Sequence, residues 1–216
     1  WGRSIGVVYR VAEGEGDTPE EIAADRETKV VAGVQALRMA EQVVAVRPAI
    51  FAAPGLDTPA VAAALGVLAG QLGGFAYAAA QGATPAEVHT YRQTFGQKEL
   101  MLIDGDFTAF DVTAEDEVTS FATARAVGAR AYLDGTPESY AKTISNVPVP
   151  GVTGIVAPRS WDLNSADTEM GLINGADVTG LIQRNGLRFW GNRTCSAVPQ
   201  FASERAVRPA QAPPRM

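Results

Sequence analysis

Two hydrophobic periods alternate along this chain. Residues 6–11, 49–53, 75–79, 100–104 and 154–157 are short, nearly continuous apolar runs, the pattern of strands buried on both faces. Between them, residues at helical spacing mark amphipathic helices, first Val30, Val34, Leu37 and Val44, then Val61, Leu65, Leu68 and Leu72, then Val118, Phe121, Ala122 and Arg125. Four Thr-Pro pairs, at 18–19, 58–59, 84–85 and 136–137, mark helix starts. Threonine caps the orphan amides and proline occupies the first helical position, where its missing N–H costs nothing. Glu21 and Glu87 sit where a reciprocal capping box needs them. The alternation predicts βαβ crossovers and an α/β fold with a largely parallel sheet and helices on both faces.

The rhythm changes after about Thr143. A Pro/Gly connection, Ser145-Asn-Val-Pro-Val-Pro-Gly-Val-Thr153, leads into a polar stretch around Trp161. Residues 178–194 then read as two strands around Asn185-Gly186, a dipeptide suited to a two-residue turn with positive φ at both positions. The expected organisation is an α/β core over 5–158, a hairpin-containing continuation over 159–201, and a disordered proline-containing tail over 202–216.

Length and composition support a self-sufficient core. The 216 residues (22.6 kDa) are 46% hydrophobic and 19% charged, with mean hydropathy +0.01. A fold of this size buries roughly 70% of its unfolded surface. The formal charge of −6 is the wrong sign for a general nucleic-acid binder. Residues 58–80 are apolar but rich in Ala and Gly, which suits core rather than a membrane span. Cys195 is the sole cysteine, so no intramolecular disulfide forms.

Candidate chemistry is thin. Gly2-Arg-Ser-Ile-Gly6 matches a nucleophile elbow as a string but lacks the strand before its serine. His89, the sole histidine, falls on the first turns of a capped helix, and Cys195 has no metal-ligand spacing and reads as a half-buried inert thiol. Glu13-Gly-Glu-Gly-Asp17 lacks phosphate-loop spacing and would repel a phosphate, while Asp162-Leu-Asn-Ser-Ala-Asp167 lacks the glycine and glutamate of a calcium loop. Asp104, Asp106 and Asp111 cluster after a strand, at the sheet edge where ligands bind in open parallel sheets, and form an alternative enzyme site. No catalytic, cofactor or metal residues are assigned.

Gly186-Leu-Arg-Phe-Trp-Gly-Asn-Arg-Thr-Cys-Ser196 resembles a hallmark of contractile phage tail sheath proteins, the family of myophage and R-type pyocin sheaths. Further blocks resemble the family in order: Val8-Tyr-Arg-Val-Ala-Glu-Gly-Glu-Gly16, Arg47-Pro-Ala-Ile-Phe-Ala-Ala-Pro-Gly-Leu-Asp-Thr58, Tyr91-Arg-Gln-Thr-Phe-Gly-Gln-Lys-Glu-Leu-Met101, Ala122-Thr-Ala-Arg-Ala-Val-Gly-Ala-Arg130 and Lys142-Thr-Ile-Ser-Asn-Val147. The resemblance implies a non-enzymatic structural subunit with a subtilisin-like core, assembled in the bacterial host cytoplasm into the virion tail. Its partners would be other sheath subunits, the tail tube protein and the baseplate, with no nucleic acid and no membrane. The family also has segments before Ile5 and beyond Phe201, so this chain alone is expected not to build a sheath. The other readings are a non-assembling prophage remnant, a regulator that binds sheath subunits, and the α/β enzyme with a site near Asp104–Asp111. Arg188, Trp190 and Arg193 are the candidate subunit interface, because Arg and Trp concentrate at interface hot spots.

Overall fold

A computed structural model describes residues 14–136, 141–198, 202–204 and 207. The strand expected at 6–11, the Gly2–Gly6 string and the helix expected after Pro137 fall wholly or at their start outside these residues.

Three of the four Thr-Pro signals open helices. Thr18 starts α1 (Pro19–Ala36), Thr58 starts α3 (Pro59–Leu72) and Thr84 starts α4 (Pro85–Arg92), with reciprocal capping boxes at α1 and α4. A 3₁₀ turn, Leu37–Met39, and the short α2 (Ala40–Val44) follow α1. Gly73, at φ +64°, ends α3 in the left-handed conformation that glycine adopts without strain.

Strands β1 (Ile50–Phe51), β2 (Phe75–Ala79) and β3 (Leu100–Ile103) pair in parallel in that order. Both faces are buried, which explains the continuous apolar runs. Phe51, Ala76, Ala78, Leu100 and Leu102 face a cluster with Val61, Leu65 and Leu68 of α3 and Val30 and Val34 of α1. The alternate residues Phe75, Tyr77, Met101 and Ile103 face a second cluster with Ala122, Ala126 and Leu133 of α5 (Ala122–Gly135).

The sheet is less parallel than the periodicity implies. Residues 107–120, where no strand is expected and helical spacing begins at Val118, form a hairpin of β4 (Phe107–Asp111) and β5 (Asp116–Ser120). Strand β6 (Gly154–Ile155) pairs antiparallel with β4, giving a second sheet ordered β5-β4-β6. Val118 does not belong to an amphipathic helix; it lies opposite Ala109 and is 38% exposed. The turn between the strands is held by Asp111, whose carboxylate accepts from the N–H groups of Thr113 and Ala114 at 2.7 and 3.3 Å. Helix α5 therefore begins only at Ala122.

After α6 (Glu169–Gly175), β7 (Gly180–Gln183) and β8 (Leu187–Trp190) run antiparallel. Asn185 and Gly186 have φ of +49° and +96°. Gln183 pairs with Leu187, so the loop holds three residues rather than the two expected. Thr179 bridges Ile103 in parallel, which sets the entry to β7 alongside β3.

The stretch read as the start of a disordered tail is docked. Ala202, Glu204 and Val207 are 4%, 0% and 3% exposed.

A structural seam and a candidate inter-subunit surface

The segment from Gly186 to Ser196 works residue by residue as a seam between the sheets. Leu187 and Phe189 enter the α5-side core, where Phe189 meets Phe107 edge to face at 5.5 Å. Gly191, at φ +135°, passes so close to Thr179 that an added Cβ would lie 2.9 Å from the Thr179 Cα. Cys195 donates its N–H to the Leu100 carbonyl at 2.8 Å. Its side chain is fully buried rather than half-buried, and burial pushes the thiol up to about 12.

The three candidate interface residues occupy different settings. Arg188 donates to the carbonyls of Arg184, Asn185 and Asn146 at 2.8, 3.0 and 2.7 Å, so its guanidinium ties the β7–β8 turn to the 145–149 connection. Trp190 lies two residues along β8 and packs edge to face on Trp161 at 5.4 Å, with the Arg184 guanidinium 5.8 Å from the Trp161 ring centre. Arg193 is half exposed, 3.8 Å from Asp177. The structure brings Arg188 and Trp190 onto one face of β8 and leaves Arg193 beyond its end.

An open cleft of about 410 Å³ runs beside this face between β6 and β7, lined by Ile155, Pro158, Arg159, Trp161, Leu181 and Gln183 among others. Arg159 is not available to a ligand there. It holds both oxygens of Asp104 at 3.1 and 3.2 Å and also donates to the carbonyls of Gly82 and Ala83. The pair with Asp104 keeps its pKa above the ordinary arginine value.

The carboxylates considered for an enzyme site each have a structural partner. Asp104 pairs with Arg159, Asp106 accepts the Ala122 N–H at 2.7 Å, and Asp111 closes the β4–β5 turn. Asp57, missed in the sequence reading, lies beside them and accepts the Ala79 N–H at 2.6 Å. Burial raises its pKa, the Ala79 bond opposes this, and Asp106 adds to the rise. His89 is exposed on α4, 3.0 Å from the Gln93 side-chain nitrogen. Among the described residues no three His, Cys, Asp or Glu side chains gather to hold a metal, and no helix is long and apolar enough to cross a membrane.

No family model matches the chain. It is 44% identical over 219 aligned residues to the tail sheath protein of Escherichia phage P2, covering 97% of this chain and 55% of that protein. The chain is a homologue of phage tail sheath proteins. The major tail sheath protein of Serratia phage KSP20 is 42% identical over 163 residues, 75% of this chain and 41% of the relative. The sheath homologue thus spans about half the length of these relatives or less. Its fold is shared with solved contractile assemblies. The contracted helical sheath of the anti-feeding prophage matches with TM-score 0.57 at 19% identity, covering 88% of this chain and 49% of that one. The contracted sheath of an extracellular contractile injection system, PVC, matches with TM-score 0.56 at 14% identity, covering 84% and 53%. A baseplate structure of the anti-feeding prophage gives 0.62 at 18% identity, over 87% and 48%.

Proposed function

We propose that this chain forms the α/β body of a contractile tail sheath subunit. Copies stack around a tail tube as a helical sheath and move as rigid bodies when the sheath shortens and drives the tube through a cell envelope. The observation that carries this reading is the 44% identity running through 97% of the chain, which includes the Gly186–Ser196 seam that joins its sheets. A contracting subunit must change its contacts without remodelling its interior. Two clusters buried on opposite faces of one sheet, with helices set by strong caps, suit that task.

The core topology is read as subtilisin-like, which concerns fold and implies no proteolysis. The partners are other copies of the subunit, the tail tube protein and the baseplate, and assembly takes place in the bacterial host cytoplasm before the sheath becomes part of the virion tail. The surface carrying Arg188, Trp190 and Arg193 is read as an inter-subunit face. Within it, half-exposed Arg193 supplies the exchangeable charge, while Arg188 holds the turn in place.

A chimera tests the reading. The matching residues of the Escherichia phage P2 sheath protein are replaced by this chain, and tails are imaged by electron microscopy. Striated sheaths that shorten on triggering are expected. A chimera that folds but leaves tubes bare overturns the proposal.

A further inference from the structure

Glu204 is completely buried, as are Tyr77 and Arg130. A carboxylate out of water needs donors in place of its lost hydration. Three elements supply them. Tyr77 Oη on β2 donates to Oε1 at 2.7 Å, Arg130 Nη1 on α5 reaches the same oxygen at 3.4 Å, and the Ile144 N–H donates to Oε2 at 3.0 Å. Arg130 is positioned independently of this contact. Asp134 Oδ1 takes its Nε and Nη2 at 3.0 and 2.8 Å, and the Lys142 carbonyl takes Nη1 as well.

We propose that Tyr77, Arg130 and the Ile144 N–H form a built socket for a carboxylate, and that Glu204 docks residues 202–204 by occupying it. Among the described residues, two backbone hydrogen bonds also join this stretch to the 192–194 segment. Ala202 accepts from the Thr194 N–H at 3.3 Å and Glu204 donates its N–H to the Asn192 carbonyl at 2.8 Å. Both oxygens of Glu204 are used as acceptors, so the site selects a carboxylate over an amide. Glutamine would turn an NH₂ group toward Arg130 or the Ile144 N–H, donor against donor. The socket is a property of the folded chain and does not depend on sheath assembly, so its failure would leave the sheath reading untouched.

The test uses tryptic cleavage after Arg205, which follows Glu204 in the sequence; Arg208 precedes Pro209 and is not a tryptic site. Glu204→Ala and the near-isosteric Glu204→Gln are each expected to be cut about tenfold faster than wild type, because an undocked stretch is cut in proportion to its open population. Acetate at about 100 mM should slow cleavage of Glu204→Ala back toward the wild-type rate by filling the vacated socket, whereas chloride at equal ionic strength should not. Glu204→Gln, with the socket still sterically filled, should gain nothing from acetate, and cleavage of an unstructured peptide controls for effects on the protease. If Glu204→Ala fails to fold, recovery of its tryptophan fluorescence melt by acetate is the same readout. Rates within about twofold of wild type for both variants, or no difference between acetate and chloride, would overturn the proposal.

Discussion

Arg188 and Gly191 show how far a side chain's meaning depends on its surroundings. In the sequence Arg188 reads as an exposed hot-spot arginine beside Trp190. In the fold it meets three backbone carbonyls contributed by two loops. Those acceptors are 3, 4 and 42 residues away and converge only once the β7–β8 turn has formed. Gly191 sits at a positive φ with the Thr179 backbone against it. Gly191→Ala is therefore expected to destabilise the chain by about 2 kcal/mol through backbone strain and close contact, read as a lower urea midpoint; an unchanged midpoint would contradict the close approach. Asp57 makes a pH prediction. Its folded pKa lies above the ordinary 3.8, so the folded state holds the proton to higher pH than the unfolded chain. Its contribution is fully present below that value and is lost as pH rises through the folded pKa. Asp57→Asn keeps an acceptor for the Ala79 N–H and removes the titration. Relative to wild type, the variant should gain stability as pH rises from the ordinary carboxylate value of 3.8 through the raised folded pKa in urea unfolding, and a pH-independent offset would refute the assignment.

At the scale of elements, local chemistry was legible wherever a signal lay within a few residues. Thr18, Thr58 and Thr84 each accept an N–H three residues on, and their helices start where the Thr-Pro pairs place them. Helix α5 differs. Its N-cap is Phe121, which has no cap side chain, and the first N–H is taken by Asp106, sixteen residues back. The spacing of Val118, Phe121, Ala122 and Arg125 suggested an earlier start, because a few apolar residues fit helix and strand periods almost equally well. What separates them is the partner strand, with Thr108 opposite Thr119 and Ala109 opposite Val118. Asp106→Ala should cost about 1 kcal/mol by leaving the α5 start uncapped. Asp106→Asn should recover most of that in thermal or urea melts, and equal losses would show that the carboxylate matters for another reason.

On the scale of the whole molecule, the two-sided burial of β2 and β3 underlies both the fold and its proposed use as a rigid repeating unit. By itself the sequence determined the positions of the capped helices, the strands that carry apolar residues on successive positions, and the kinship with sheath proteins, since each is written in contiguous residues or blocks. Tertiary structure decided which edges meet. The strand at 154–155 was legible as a strand, but its pairing with β4 rather than with the parallel sheet depends on the β4–β5 hairpin in between. The hairpin loop proved one residue longer than the Asn-Gly signal implies because the register pairs Gln183 with Leu187. Glu204 is the sharpest case. In a polar, proline-containing stretch it reads as a solvated charge, yet it is buried against Tyr77, 127 residues away. Capping and periodicity act over a few residues and so appear in the sequence, whereas a buried charge is defined by donors that only folding brings together.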